Sequence, residues 1–197
     1  LVTLPTQGTV TLAETDPSLF SYTPNENVIG TDSFTFKVND GANDSKDAMV
    51  TITITPINDL PVALDGAFSI AEDTESIEQI LGAGDLDDDA LIYTVVTQPT
   101  KGTVEITDTT SGTYNYSPNA NAEGTDGFTF KVNDGTADSN TATVTITLNS
   151  TNDAPVSTNG TLTIDEDSGA ASGVLSANDI DSEMLTYTIV TQPTKGI

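Results

Sequence analysis

Apolar and polar residues alternate through much of the chain with the period of a β-strand. Phe34, Phe36 and Val38 alternate with Ser33, Thr35, Lys37 and Asn39, and Val50, Ile52 and Ile54 alternate with Thr51, Thr53 and Thr55. Such alternation sends one set of side chains to a core face and the other to solvent. Thr, Val, Ile, Phe and Tyr are the residues that suit a pleated, half-buried surface. The two runs flank Asn39-Asp40-Gly41 and a polar loop, which predicts a hairpin. The pattern returns with Phe128, Phe130 and Val132, then Val144, Ile146 and Leu148. Further strands are predicted at 68–70, 77–81, 91–96, 103–106 and 113–117. No stretch carries helical periodicity. About seven short strands in ~95 residues, separated by Gly, Pro, Asn and Asp, predict an all-β, Greek-key β-sandwich.

The strands repeat at a fixed offset. Thr31–Gly41 returns as Thr125–Gly135, and Gln98-Pro99-Thr100-Lys101-Gly102 returns as Gln192-Pro193-Thr194-Lys195-Gly196. At an offset of 94, 30 of the first 57 residues match residues 95–151 without a gap. A fixed period predicts an array of tandem modules, so the unit to explain is one module and its junction with the next. Residues 58–151 read as one complete module, 1–57 as the C-terminal part of another, and 152–197 as the N-terminal part of a third. The linkers carry prolines, Thr55-Pro56-Ile57-Asn58-Asp59-Leu60-Pro61 and Asn149-Ser150-Thr151-Asn152-Asp153-Ala154-Pro155. Few free backbone donors and fixed φ make a short, stiff connection that favours a rod. Neither partial module can bury a sandwich core alone. Either identical chains complete each other head to tail by strand complementation, or the module boundary is permuted and two whole sandwiches exist.

Composition narrows the function. Thirty acids stand against five lysines, with no Arg or His, for a formal charge of −25. Phosphate recognition needs Lys and Arg, which excludes nucleic acid as a partner. Such a surface attracts cations and stays soluble in a salty or secreted setting. No apolar run reaches the ~18 residues of a membrane span, so membrane insertion is not expected. Without His or Cys, the commonest catalytic bases and nucleophiles are missing, and the chain is not expected to be an enzyme.

The acids recur with the period: Glu72-Asp73 with Glu166-Asp167, Asp85 and Asp87 with Asp179 and Asp181, Asp32 with Asp126, Asp40 with Asp134, and Asn58-Asp59 with Asn152-Asp153. Two carboxylates ~4 Å apart repel by about 4 kcal/mol at an effective dielectric of ~20. A hard cation removes that cost. Calcium accepts oxygen ligands from Asp, Asn and backbone carbonyls in flexible geometry, whereas zinc, copper and iron lack their usual His and Cys ligands here. Each position also has a plainer reading. Asp85-Leu86-Asp87-Asp88-Asp89 reads equally as a solvated loop, and it lacks the Gly and Glu of an EF-hand. Asp134 before Gly135 reads as a turn residue. Asn58 and Asp59 read as strand caps, Asp73 as a surface residue, and Asp32 and Asp126 as ligands or turn caps.

Asn-Asp-x-Pro at 58–61 and 152–155, a Glu soon after, and Asp-x-Asp at 85–87 and 179–181 resemble the cadherin pattern. Gln-Pro-x-x-Gly-x-Val at 98–104, Tyr-x-Pro-Asn-x-Asn at 22–27 and 116–121, and Gly-Thr-Asp-x-Phe-x-Phe-x-Val-x-Asp-Gly at 30–41 and 124–135 narrow the likeness. With them the chain resembles the bacterial cadherin-like and Ig-like repeats of very large secreted, RTX-type surface adhesins. That resemblance implies Ca2+ at the junctions. It assigns Asn58, Asp59, Asp85, Asp87 and Asp134 to the first junction and Glu72, Asn152, Asp153, Asp179 and Asp181 to the second. The cadherin Asp-x-Glu pair falls near Asn25-x-Asn27 and Asn119-x-Asn121, whose neutral amides imply fewer or weaker ions. It further implies an extracellular adhesive or fibre segment, partnered by neighbouring repeats or identical chains. The alternative is a carbohydrate-binding β-sandwich with extracellular glycans as partners, for which exposed aromatics are few and Trp is absent.

Overall fold

The computed structural model describes residues 1–182 and 184–194. Lys195 and Gly196 of the second Gln-Pro-Thr-Lys-Gly, with Ile197 at the end of the predicted third piece, lie outside the described residues. The chain divides into two compact units, Leu1–Asp59 and Leu60–Ile197. The regular structure among the described residues is β. The first unit holds β1 (Gly8–Leu12), β2 (Phe20–Pro24), β3 (Gly30–Phe36) and β4 (Ala48–Ile54). The second holds β5 (Val62–Leu64), β6 (Gly66–Ala71), β7 (Ile77–Ile80), β8 (Gly82–Gly84), β9 (Ile92–Thr97), β10 (Gly102–Asp108), β11 (Thr113–Pro118), β12 (Gly124–Asn133), β13 (Ala142–Asn149), β14 (Val156–Thr158) and β15 (Ser176–Asn178).

In the second unit a four-stranded sheet of order β6-β13-β12-β9 faces a three-stranded sheet of order β10-β11-β7. The β6–β13 pairing is parallel and the others are antiparallel. The core lies between the sheets and is the one the alternation predicts. Phe128, Phe130 and Val132 of β12 interleave with Val144, Ile146 and Leu148 of β13, and Tyr114 and Tyr116 of β11 close it from the opposite sheet. Tyr114 meets Phe128 edge to face at 5.3 Å and Phe68 meets Tyr116 at 6.0 Å, a geometry aromatic quadrupoles favour. The outward residues of β13 are Thr143, Thr145 and Thr147. Lys131 also points outward and pairs with Asp138 across the hairpin loop. β5 and β8 were not predicted, because three residues are too few to show a period. They pair with each other in a two-stranded ladder.

Asp126 is buried in this core and explains why several motif residues recur together. Its carboxylate accepts from the Thr100 and Lys101 backbone N–H groups at 2.9 and 3.1 Å and from the Tyr116 hydroxyl at 2.8 Å. The loop before β10 is thereby pinned to β12. Tyr116 reaches the carboxylate by lying over Gly102, where a Cβ would stand 2.6 Å from both the Tyr116 ring and the Ser117 carbonyl oxygen. Asp32 repeats the clamp in the first unit, accepting from Thr6 N–H, Gln7 N–H and Tyr22 Oη at 3.0, 2.9 and 2.8 Å. Of the two sequence readings of Asp32 and Asp126, ligand or cap, the hydrogen bonds at both residues are those of a cap, with each carboxylate spent on holding a loop and a tyrosine.

Burial alone would raise the Asp126 carboxyl. Donations from Thr100, Tyr116, Gly127 and Lys101 outweigh it and hold the pKa below the usual carboxylate range. At Asp32 the same opposition ends at about 2. A depressed folded-state pKa contributes stability that is present above the unfolded value of ~3.9 and lost as pH falls through the folded value. Tyr116→Phe removes one donor to a charged acceptor and is expected to cost about 2 kcal/mol at pH 7. The deficit should shrink as pH falls through the folded pKa of Asp126. Urea unfolding of parent and variant at neutral pH and near pH 2 checks both the size and the convergence.

Candidate metal centre

The β14–β15 ladder reproduces the β5–β8 ladder one period later. Val156, Ser157 and Thr158 oppose Asn178, Ala177 and Ser176, as Val62, Ala63 and Leu64 oppose Gly84, Ala83 and Gly82. Each ladder delivers the chain into an acidic loop. In the first loop Asp85 Oδ1 accepts from Asp87 N–H at 2.8 Å and Asp89 N–H at 3.3 Å. In the second, Asp179 Oδ1 accepts from Asp181 N–H at 2.9 Å and Ser182 N–H at 2.8 Å. The leading Asp thus spends one oxygen on folding its own loop. Asp85 Oδ2 is buried and has no hydrogen-bond partner. Carboxylate oxygens of Asp85, Asp87 and Asp89 lie within 4.8 Å of one another.

The linker at 149–155 meets the second loop and the end of β6. The parallel β6–β13 pairing continues past β6 through Glu72 N–H to Asn149 O at 2.9 Å. Buried Glu72 then accepts from Thr151 N–H through Oε1 at 2.8 Å. Two residues on, Asp153 N–H donates to Asp181 Oδ2 at 2.5 Å. Asn152 turns its Nδ2 onto the Asp153 carbonyl at 2.6 Å. Asp73, held at φ 59°, accepts from the backbone N–H of Asn121, itself at φ 55°. Asn121, Asp153 and Asp179, with Ala154, Val156, Asn178 and Ile180, line a cavity of about 500 Å³.

Asp153 is the electrostatic centre of this group. Burial raises its pKa first, and the charges of Asp73, Asp181, Glu72 and Asp179 raise it further. Its Oδ2 is buried without a hydrogen-bond partner. The donor set is oxygen only, which suits a hard cation. An orphaned carboxylate oxygen among four further carboxylates fits calcium on both charge and chemistry.

The structure therefore gathers four predicted residues, Glu72, Asp153, Asp179 and Asp181, with Asn152 beside them. It gathers Asp85 and Asp87 in a separate cluster. Asp134 Oδ1 accepts from Thr136 and Ala137 N–H, both at 2.6 Å, and so closes the β12–β13 turn. Asn58 and Asp59 belong to the first unit, where Asn58 Nδ2 donates to the Asp59 carbonyl at 2.6 Å. The sequence reading named Asp73 as a surface residue, Asn121 as a neutral replacement for a cadherin ligand and Asp89 as part of a loop, and assigned none of the three to a site. The signal for the first two was recurrence: Asp167 and Asn27 stand one period away with φ of 63° and 56°. Asp89 recurs as Glu183, another acid.

A profile of the bacterial Ig domain family matches residues 1–53 and 58–147. Among solved structures the chain is similar to human CDH23 EC21-23, with TM-score 0.65 and 19% identity over 86% of this chain and 65% of that one. It is also similar to human mucin-like protocadherin EC1-2, with TM-score 0.51 and 17% identity over 75% and 87%. Both likenesses are of fold. An endo-fucoidan hydrolase of glycoside hydrolase family 107 matches at 25% identity with TM-score 0.36 over 75% of this chain, which spans only 23% of the hydrolase. No curated protein matches the chain. With a family profile covering well over half its residues, and a cadherin-like sandwich fold, the chain belongs to the bacterial Ig domain family.

Proposed function

We propose that this chain is a structural segment of an extracellular bacterial adhesin or surface fibre, in which calcium at the module junction holds linker and loops together. The observation that carries the reading is Asp153 Oδ2, buried without a hydrogen-bond partner beside Glu72, Asp73, Asp179 and Asp181. Glu72, Asp153, Asp179 and Asp181 would hold the ion, with Asp73, Asn121 and Asn152 at its margin. Calcium bound there would neutralise the mutual repulsion of these carboxylates. The chain already grips its linker from two sides, through Glu72 on Thr151 N–H and Asp181 on Asp153 N–H. Removing the repulsion lets both grips hold at once, and a gripped linker resists bending. Repeated along an array, that stiffness holds a distal binding domain away from the cell.

Head-to-tail association with neighbouring repeats or identical chains is a further element of this reading. A carbohydrate-binding role draws less support. The aromatics of the 60–149 module are Phe68, Tyr93, Tyr114, Tyr116, Phe128 and Phe130, and all lie in or against the core. That leaves none of them as a surface platform for sugar stacking.

Calcium should raise the melting temperature. At a free concentration tenfold above Kd the gain is about 1.4 kcal/mol, and extracellular modules with Kd of ~10⁻⁴–10⁻³ M place that in the millimolar range. Identical melting in chelator and in 10 mM calcium would overturn the calcium clamp. Asp153→Asn should melt higher than the parent in chelator at pH 7, because it removes a buried, repelled charge. A raised folded-state pKa means this repulsion is relieved as pH falls through it, so the two proteins should converge on acidification. Calorimetric titration should show that the variant has lost calcium heat that the parent retains.

A further inference from the structure

In the 60–149 module the strand by which the chain enters lies beside the strand by which it leaves. β6 is the edge strand of its sheet and pairs in parallel with β13, Gly66 to Ala71 against Val144 to Asn149. β13 is held by β12 on its other side, so β6 is the less firmly held of the two within the sheet. Tension along the chain pulls β6 toward its first residue and β13 toward its last. In a parallel pair those pulls oppose each other along the strand axis. The rungs are then loaded together, in shear, rather than opened one after another. Side chains lengthen this seam past both ends of the ladder. Ahead of β6, Ala63 N–H donates to Asn140 Oδ1 and Asn140 Nδ2 donates to Ala63 O, both at 3.0 Å. One side-chain amide thus meets both backbone groups of a residue, as a neighbouring strand would. Two residues on, Asp65 Oδ1 accepts from Thr143 N–H at 2.7 Å. Past β6, Glu72 bonds Asn149 O through its N–H and Thr151 N–H through its carboxylate. The bonded stretch therefore runs 63–72 against 140–151.

We propose that this seam is the load-bearing element of the module, with the Asn140 and Asp65 side chains as added rungs that resist tension. The proposal rests on the reading of the chain as a structural segment and deepens it by naming the bonds that carry the load; it does not rest on calcium. Every rung in a sheared seam shares the force, so each added bond raises the tension needed to part the strands. The Asp126 clamp is different. It joins β12 to Tyr116 and to the loop before β10, away from the seam, so it adds to resting stability without taking the load. Phe68 and Ile70 of β6 pack in or against the core, so parting the seam also drags apolar side chains toward water.

The chain has no cysteine, so thiol handles for single-molecule pulling can be placed in the full chain. Handles at Ile57→Cys and Ser150→Cys load the seam in shear. Moving the second handle to Thr136→Cys, in the turn before β13, puts both at one end of the seam, and the unfolding force should fall because the rungs then open in turn. In the shear geometry Asn140→Ala should raise the unfolding rate at fixed force by roughly tenfold, the worth of two ordinary hydrogen bonds. Asp65→Ala should raise it less, and Asp65→Asn, which keeps an acceptor oxygen, should restore the parent rate. Tyr116→Phe should be less stable than Asn140→Ala in urea and yet slower to unfold under force, a reversal that a merely structural role for Asn140 does not produce. Equal forces in the two pulling geometries, or variants that rank under force as they rank in urea, would overturn the proposal. All traces are taken in chelator, so their outcome is separable from that of the calcium clamp, which melting reads.

Discussion

A sheet with one apolar face is stable only when a second sheet covers it, and that constraint organises this chain. In the 60–149 module the cover is complete. Alternating Phe, Val and Ile on β12 and β13 pack against Tyr114 and Tyr116, and the Thr residues between them face water. The first unit carries nearly the same sequence on β3 and β4 and the same local bonds; there Phe34 is buried, but Phe36, Val50, Ile52 and Ile54 are only half-buried and Val38 is exposed. Local strand pairing, hairpin turns and the Asp–Tyr clamp form in both units. Burial of the apolar face is complete only where β6, β7 and β9 flank the two facing sheets.

The acids follow a second division, by whether a donor meets them. Asp126 and Asp32 are buried and receive backbone and tyrosine donors, and their pKa values fall. Asp153 is buried among other carboxylates with one oxygen unmet, and its pKa rises. The residue type is the same and the recurrence is the same. Only the surroundings decide that one acid stabilises the fold while the other stores repulsion. The second kind lies beside a proline-bearing linker, where, in the proposed reading, a cation releases the repulsion.

Much of this was legible in the sequence because it rests on period-two alternation and on exact recurrence. The hairpin of β12 and β13 and its Lys131 facing out follow from those two signals, whereas the grouping of Glu72, Asp153, Asp179 and Asp181 is what the resemblance to cadherin repeats implies. What escaped had no such signature. β5 and β8 span three residues each and cannot display a period. Asp126 recurs as faithfully as the junction acids, so recurrence could not tell a core clamp from a ligand; only the donors from Thr100, Lys101 and Tyr116 distinguish them. Asp73 and Asn121 recur with the period, but recurrence does not show their left-handed backbone or the single hydrogen bond that joins their loops across 48 positions of sequence.

At the 149–155 linker, unsatisfied charge collects where β13 hands over to the β14–β15 ladder. Two hydrogen bonds hold the linker there, from Thr151 N–H to Glu72 and from Asp153 N–H to Asp181. The accepting carboxylates are the same ones that repel Asp153. Attraction and repulsion therefore act through the same few side chains in opposite directions. In the proposed reading a cation removes the repulsion and leaves the hydrogen bonds, so the charge that weakens the ion-free junction is what makes it respond to calcium.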